Sequence, residues 1–231
     1  MGRVGKISLA IDKKGNIWVA YDTFKGRIER IIVQTLENYS IVRHRLSVSE
    51  YSCCSPQIAS YQNNVILVWC SKRGGRWGIY GKIFDGEEWT EEFRINREDY
   101  DAFAPSIGTN GRDLWLVWEA HRKGRFSIIA AALKNREVKH RKVVSGNLKY
   151  SFRPAISVSR LGDVYIAWDS YVEDTYNVYL RRFSEGRWDE IIEVSSDAQW
   201  ELMPTITLDE HQNPYVAWLC SSDVVNEDGV I

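Results

Sequence analysis

The sequence is poor in the features that mark most enzyme and membrane classes. No stretch approaches the ~18 consecutive apolar residues of a membrane-spanning helix. The start, Met1-Gly2-Arg3-Val4-Gly5-Lys6, has neither the apolar segment nor the cleavage site of a secretory leader. If the chain is complete, these absences predict a soluble, cytoplasmic protein. There are only four cysteines, Cys53, Cys54, Cys70 and Cys220, and they show no C-x-x-C or Cys/His spacing, so no metal site is expected. The vicinal pair Cys53-Cys54 would close a strained ring, so free thiols are expected. No cofactor is expected either. Neither sign of charge dominates: 30 Lys+Arg stand against 31 Asp+Glu, a net charge of −1. That balance argues against a global attraction to nucleic acid or to an anionic membrane. Helical periodicity is also missing, since no segment sustains it over three turns.

What the sequence does have is a repeat. Five β-rich runs close on an aromatic, at Tyr21, Trp69, Trp118, Trp168 and Trp218, at intervals of 48, 49, 50 and 50 residues. A second marker travels with them: Pro56-x-Ile58, Pro105-x-Ile107, Pro154-x-Ile156 and Pro204-x-Ile206, with Ile7-x-Leu9 in that place in the first copy. Between the markers lie turn residues such as Lys14-Gly15-Asn16 and Asn110-Gly111-Arg112. Two further strands follow, Trp77 to Phe84 and Trp89 to Ile95 in the second copy, Tyr176 to Phe183 and Trp188 to Val194 in the fourth. Short β-branched or aromatic runs bounded by turns predict antiparallel hairpins.

Four hairpin-linked strands every fifty residues predict an all-β propeller, because one such sheet cannot bury its faces alone and must pack on its neighbours. The expected domain is a single propeller over 1–231, with four complete four-stranded blades at about 7–54, 55–103, 104–152 and 153–202 and a partial fifth at 203–231. The repeated aromatics are then inter-blade packing. Half a blade leaves an edge uncovered, so further blades of a larger propeller, or self-association, are expected to close the ring.

The pattern P-x-I, turn, (V/L)-(Y/W)-(V/I/L)-(A/V)-W resembles the degenerate repeats of sialidase-like and TolB-like propellers, over nearly the whole chain. The resemblance implies the architecture, a superfold that carries hydrolases, lectins and protein-binding modules alike. It carries over no catalytic residue. Turns such as Phe84-Asp85-Gly86-Glu87-Glu88-Trp89 keep only the Gly and Trp of the sialidase Asp-box, and Arg153 is the only arginine at its place in the repeat.

Two classes of loop open on one face of a propeller. One carries an aromatic before each proline, at Tyr51, Tyr100, Tyr150 and Trp200; the other follows the repeated aromatic and begins with a carboxylate at Asp22, Glu119 and Asp169. With Arg153, these residues are the expected ligand-binding set, aromatic platforms beside hydrogen-bonding carboxylates, suited to a glycan or a peptide. A plainer assignment for the same carboxylates is that they bond backbone amides in the loops. The leading functional expectation is a non-catalytic recognition module for a glycan or a protein/peptide partner. The alternatives are a glycoside hydrolase or lyase using Asp22, Glu119 and Asp169 as acid/base candidates, and a scaffold or sensor domain severed from a larger enzyme.

Overall fold

A computed structural model describes residues 4–25, 28–44, 51–96, 100–195 and 200–221. Strands and turns make up all of the regular structure among them. The first sheet is β1 (Val4–Ile11), β2 (Ile17–Lys25), β3 (Ile28–Glu37) and β4 (Ser40–His44), and the second is β5 (Cys53–Tyr61), β6 (Asn64–Arg73), β7 (Arg76–Phe84) and β8 (Phe93–Arg94). The third is β9 (Asp101–Thr109), β10 (Leu114–Arg122), β11 (Arg125–Lys134) and β12 (Glu137–Val143). In the fourth, β13 (Ser151–Val158), β14 (Val164–Val172) and β15 (Thr175–Ser184) are followed by β16 (Arg187–Trp188) and β17 (Ile192–Glu193), both paired to β15. The hairpin β18 (Trp200–Leu208) and β19 (Pro214–Ser221) ends the described chain. Every pairing between these strands is antiparallel, and the first strands β1, β5, β9, β13 and β18 abut one another in turn. The all-β propeller expected from the repeat is what the chain forms.

The sheets begin earlier than the markers suggest. Each first strand starts upstream of its proline, at Cys53, Asp101, Ser151 and Trp200, because the proline lies inside the strand beside a β-bulge. The extra residue is the one before the proline, Ser55, Ala104, Arg153 or Met203, with φ of 54°, 45°, 51° and 55°. At a bulge the ladder is interrupted, so a following proline, which has no N–H, forfeits no strand bond. The outer strands are shorter than expected. In the second sheet only Phe93–Arg94 pairs with β7, apart from an isolated bridge from Trp89 to Phe84. The fourth sheet's outer strand splits into β16 and β17. Trp89 and Trp188 each pair with the neighbouring strand and pack edge-on against the preceding blade's Trp18 or Trp115, and the outer strand is interrupted just after each.

The core lies between blades. Trp69, Trp118 and Trp168 are all 0% exposed. Trp69 packs with Trp18, Ile31 and Val33 of the first sheet, Trp118 with Val68 and Ile79 of the second, and Trp168 with Trp115, Val117 and Ile128 of the third. Burying a side chain of this size contributes about 4–6 kcal/mol of transfer free energy. Tyr21 and Trp218, at the two ends of the series, are only part-buried. His44 joins the first junction, its ring stacked 4.6 Å from Trp18 and edge-on to Phe84 and Trp89.

Two belts of polar contacts link successive blades. On the face of the β1–β2-type turns, Lys13 Nζ donates to Asn63 Oδ1 (2.8 Å), Gln62 N to the Gly111 carbonyl (2.9 Å), Asn110 Nδ2 to the Ser159 carbonyl (3.0 Å) and Arg160 N to Gln212 Oε1 (2.7 Å). The second belt, on the opposite face, builds the candidate site.

Candidate functional site

The bulge aims one backbone N–H per blade away from its own ladder, toward the preceding blade. A buried N–H needs an acceptor. The acceptor is in each case the side chain immediately after the repeated aromatic: Ser55 N donates to Asp22 Oδ2 (2.9 Å), Arg153 N to Glu119 Oε1 (2.7 Å) and Met203 N to Asp169 Oδ1 (3.1 Å). At the remaining junction the equivalent residue is Cys70, whose thiol donates to the Cys54 carbonyl (3.2 Å). Asp22, Glu119 and Asp169 therefore each hold a loop amide, as the plainer assignment expected. Cys70 completes the series at the equivalent position after Trp69. It was missed in the sequence because its residue type differs, although its spacing is the same.

Three of these positions interact electrostatically with their neighbours across the junctions. The charge of Lys6, on the first sheet, is felt by both Cys70 and Glu119, and Glu119 in turn feels Arg153 and Asp169. Arg153 bridges two members. Its N–H serves Glu119, while its guanidinium forms a two-pronged bond to Asp169, Nε–Oδ1 2.7 Å and Nη2–Oδ2 2.5 Å. Asp169 is 0% exposed, and burial pushes its carboxyl above the ordinary range, against the opposing pull of Arg153 and the Met203 N–H. Burial also pushes the Glu119 carboxyl up, opposed by the Arg153 N–H and the charges of Lys6 and Arg153, and reinforced by Asp169. Glu119 keeps part of its surface open. Asp22 is 5% exposed, and its Oδ1 has no donor among the described residues. Gly5 lies against it, where a Cβ would collide with the carboxylate.

The aromatics differ in exposure. Tyr100 is 6% exposed, with bonds at its hydroxyl from Trp118 Nε1 and Arg141 Nη2, both 3.3 Å, and it lines a cavity with Arg122, Arg125 and Arg141. Tyr51 is 47% exposed, with the Arg73 guanidinium 5.3 Å from its ring. Tyr150 is half-buried beneath Lys149, and its carbonyl accepts the Tyr171 N–H. Trp200 is 42% exposed and stands edge-on to Tyr176 at 5.7 Å. Tyr176 also carries the Arg153 guanidinium, 5.4 Å from its ring, so Trp200, Tyr176, Arg153 and Asp169 are continuous. Among the described residues no group of three or more His, Cys, Asp or Glu is placed to hold a metal ion.

No family model matches the chain, and no curated protein sequence does. Solved structures do. A protein of unknown function from Dyadobacter fermentans matches with a TM-score of 0.71 at 9% identity, over 94% of this chain and 75% of its own. The α-L-arabinanase of Penicillium chrysogenum complexed with arabinobiose gives 0.64 at 13%, over 93% and 75%. The α-L-arabinofuranosidase of Lactobacillus brevis gives 0.57 at 13%, over 95% and 84%. At these identities the likeness supports the propeller fold and leaves the narrower sialidase-like or TolB-like resemblance without support.

Proposed function

With a propeller similar to those of enzymes that cleave arabinose-containing glycans as its premise, we propose that the protein acts on a glycan at the axial mouth, as a glycoside hydrolase with Glu119 as proton donor. The observation that carries this reading is the state of Glu119. It is the one carboxyl of the three that combines an open surface with a titration displaced upward by burial. A carboxyl whose burial favours the protonated form suits proton donation to a leaving glycosidic oxygen, and a second carboxyl group completes the pair that such cleavage uses. Asp22, with Oδ1 unengaged, is the candidate partner. Asp169 is committed to the Arg153 guanidinium and acts as a positioning group, holding the residue whose backbone N–H orients Glu119. Trp200 and Tyr176 offer an aromatic flank for a sugar face.

A second reading, recognition of a glycan or peptide without turnover, is favoured by one observation: each of the three carboxylates already accepts a loop N–H. Turnover of aryl arabinofuranosides and xylosides, with calorimetric binding of arabino- and xylo-oligosaccharides, separates the two. Glu119→Gln keeps an acceptor for the Arg153 N–H, so hydrolysis is expected to fall by about 10²–10⁴-fold while binding persists. Binding by the wild-type protein without hydrolysis supports recognition. Neither binding nor hydrolysis refutes both.

A further inference from the structure

Cys54 and Cys70 stand directly opposite each other on β5 and β6. Their sulfurs are 3.0 Å apart, and the Cys70 thiol also contacts the Cys54 carbonyl at 3.2 Å. A disulfide has an S–S length of about 2.05 Å, so bond formation asks for a movement of about 1 Å between side chains already in register. The neighbouring thiol does not compete, because alternation along the strand turns Cys53 to the other face, where its sulfur contacts Ser71 Oγ at 3.4 Å. Cys54 is part-exposed and Cys70 is 2% exposed, so a small reagent reaches Cys54 first.

We propose that Cys54 and Cys70 are a reversible oxidation site, closed into an intrachain disulfide by thiol–disulfide exchange with a low-molecular-weight disulfide. In the first step the Cys54 sulfur attacks the small disulfide, forming a mixed disulfide and releasing one small thiol. In the second the Cys70 sulfur attacks Cys54 Sγ, forming the Cys54–Cys70 bond and releasing the second small thiol. Two electrons and the two cysteine protons leave with the two small thiols, so the balance needs no other reactant. The bonds around Cys70 suit it to the second step. Hydrogen bonding from Cys54, against the effect of burial, then from Ser55 and Ala104, with the charge of Lys6, shifts its thiol toward the thiolate, which is the attacking form. The site also has a structural address. Cys70 occupies the position after the repeated aromatic that holds a carboxylate in the first, third and fourth blades, so oxidation falls beside the link between the second and third blades.

The test is incubation of the full chain with oxidised glutathione over a range of glutathione ratios, followed by acid quench, denaturing alkylation and peptide mapping. The expected product is a Cys54–Cys70 linked peptide pair with a mass loss of about 2 Da, reversed by dithiothreitol, retained in Cys53→Ser and abolished in Cys54→Ser. Cys70→Ser adds a second control, and Cys54→Ser stands alone should that variant fail to fold. Persistence of both thiols at ratios that close a model dithiol overturns the proposal. So does a stable glutathione adduct at Cys54, or linkage through Cys53 or Cys220.

Discussion

Replacing Arg153 with alanine isolates the central polar contact of the axial mouth. The substitution leaves Asp169, 0% exposed, with the Met203 N–H as its remaining bond among those described, and it keeps the backbone N–H that Glu119 accepts. Removing one member of a buried ion pair costs about 3–5 kcal/mol. The Arg153 side chain is itself 33% exposed, which puts the expected loss near the lower end, about 3 kcal/mol. For a chain of this size that corresponds to a fall of about 6–12 °C in Tm. The pH dependence adds a second constraint. Burial already holds the Asp169 carboxyl above the ordinary range, with Arg153 pulling it down, so the variant's carboxyl rises further while its unfolded value stays fixed. A carboxyl with a raised folded pKa binds its proton first in the folded state. Its favourable contribution is therefore present at low pH and lost as pH rises through the folded value. The deficit of Arg153→Ala is accordingly expected to be larger at pH 8 than at pH 4.5, measured by denaturant unfolding at both, and to shrink in an Asp169→Asn background. A loss under about 1 kcal/mol, or one equal at both pH values, refutes the reasoning.

Trp118→Ala opens a cavity between the second and third blades and removes a bond to Tyr100, for an expected cost of about 3–5 kcal/mol; near-wild-type unfolding contradicts that packing. Burial holds the His44 imidazole below its ordinary value, outweighing the charge of Glu37, so the unfolded chain takes up the proton first on acidification. Stability is then retained above about pH 6.5 and declines below it, with a shallower decline in His44→Phe when Tm is followed from pH 8 to pH 5. Ile7, Leu9 and Ile11 form an exposed row on β1, at 60%, 64% and 66%. Concentration-dependent self-association is expected by light scattering, reduced in Leu9→Lys, and a monodisperse wild-type monomer counts against it.

The repeat was legible because packing imposes it. A residue that fills a blade junction recurs wherever a junction recurs, which is why the spacing of Trp69, Trp118 and Trp168 predicted their burial. The bulges were not legible as such. The positive φ falls on Ser55, Ala104, Arg153 and Met203, four residue types with no common preference for that region, and the visible trace is the proline that follows each. Exposure within a repeated set was also hidden. Tyr100 and Trp200 hold equivalent positions, but Tyr100 finds Trp118 and Arg141 as partners for its hydroxyl, while Trp200 lies on the last described sheet with one face open.

The acceptor series also separates what the fold needs from what it does not. Holding one loop N–H per junction requires only an acceptor, and at the second junction the equivalent position is a cysteine, Cys70, with no carboxylate. Carboxylates at the other three positions exceed that requirement and carry a cost, since burial disfavours the charged forms of both Glu119 and Asp169. Asp169 offsets that cost with Arg153. The Glu119 side chain has no ion-pair partner among the described residues, and Asp22 leaves a buried oxygen without a donor. If structure alone set these two positions, a neutral acceptor such as glutamine or asparagine would serve at lower cost. Asp22 and Glu119 are therefore the positions where a neutral acceptor would meet the packing requirement at lower cost, and the glycosidase reading proposed above is one use for their acidity.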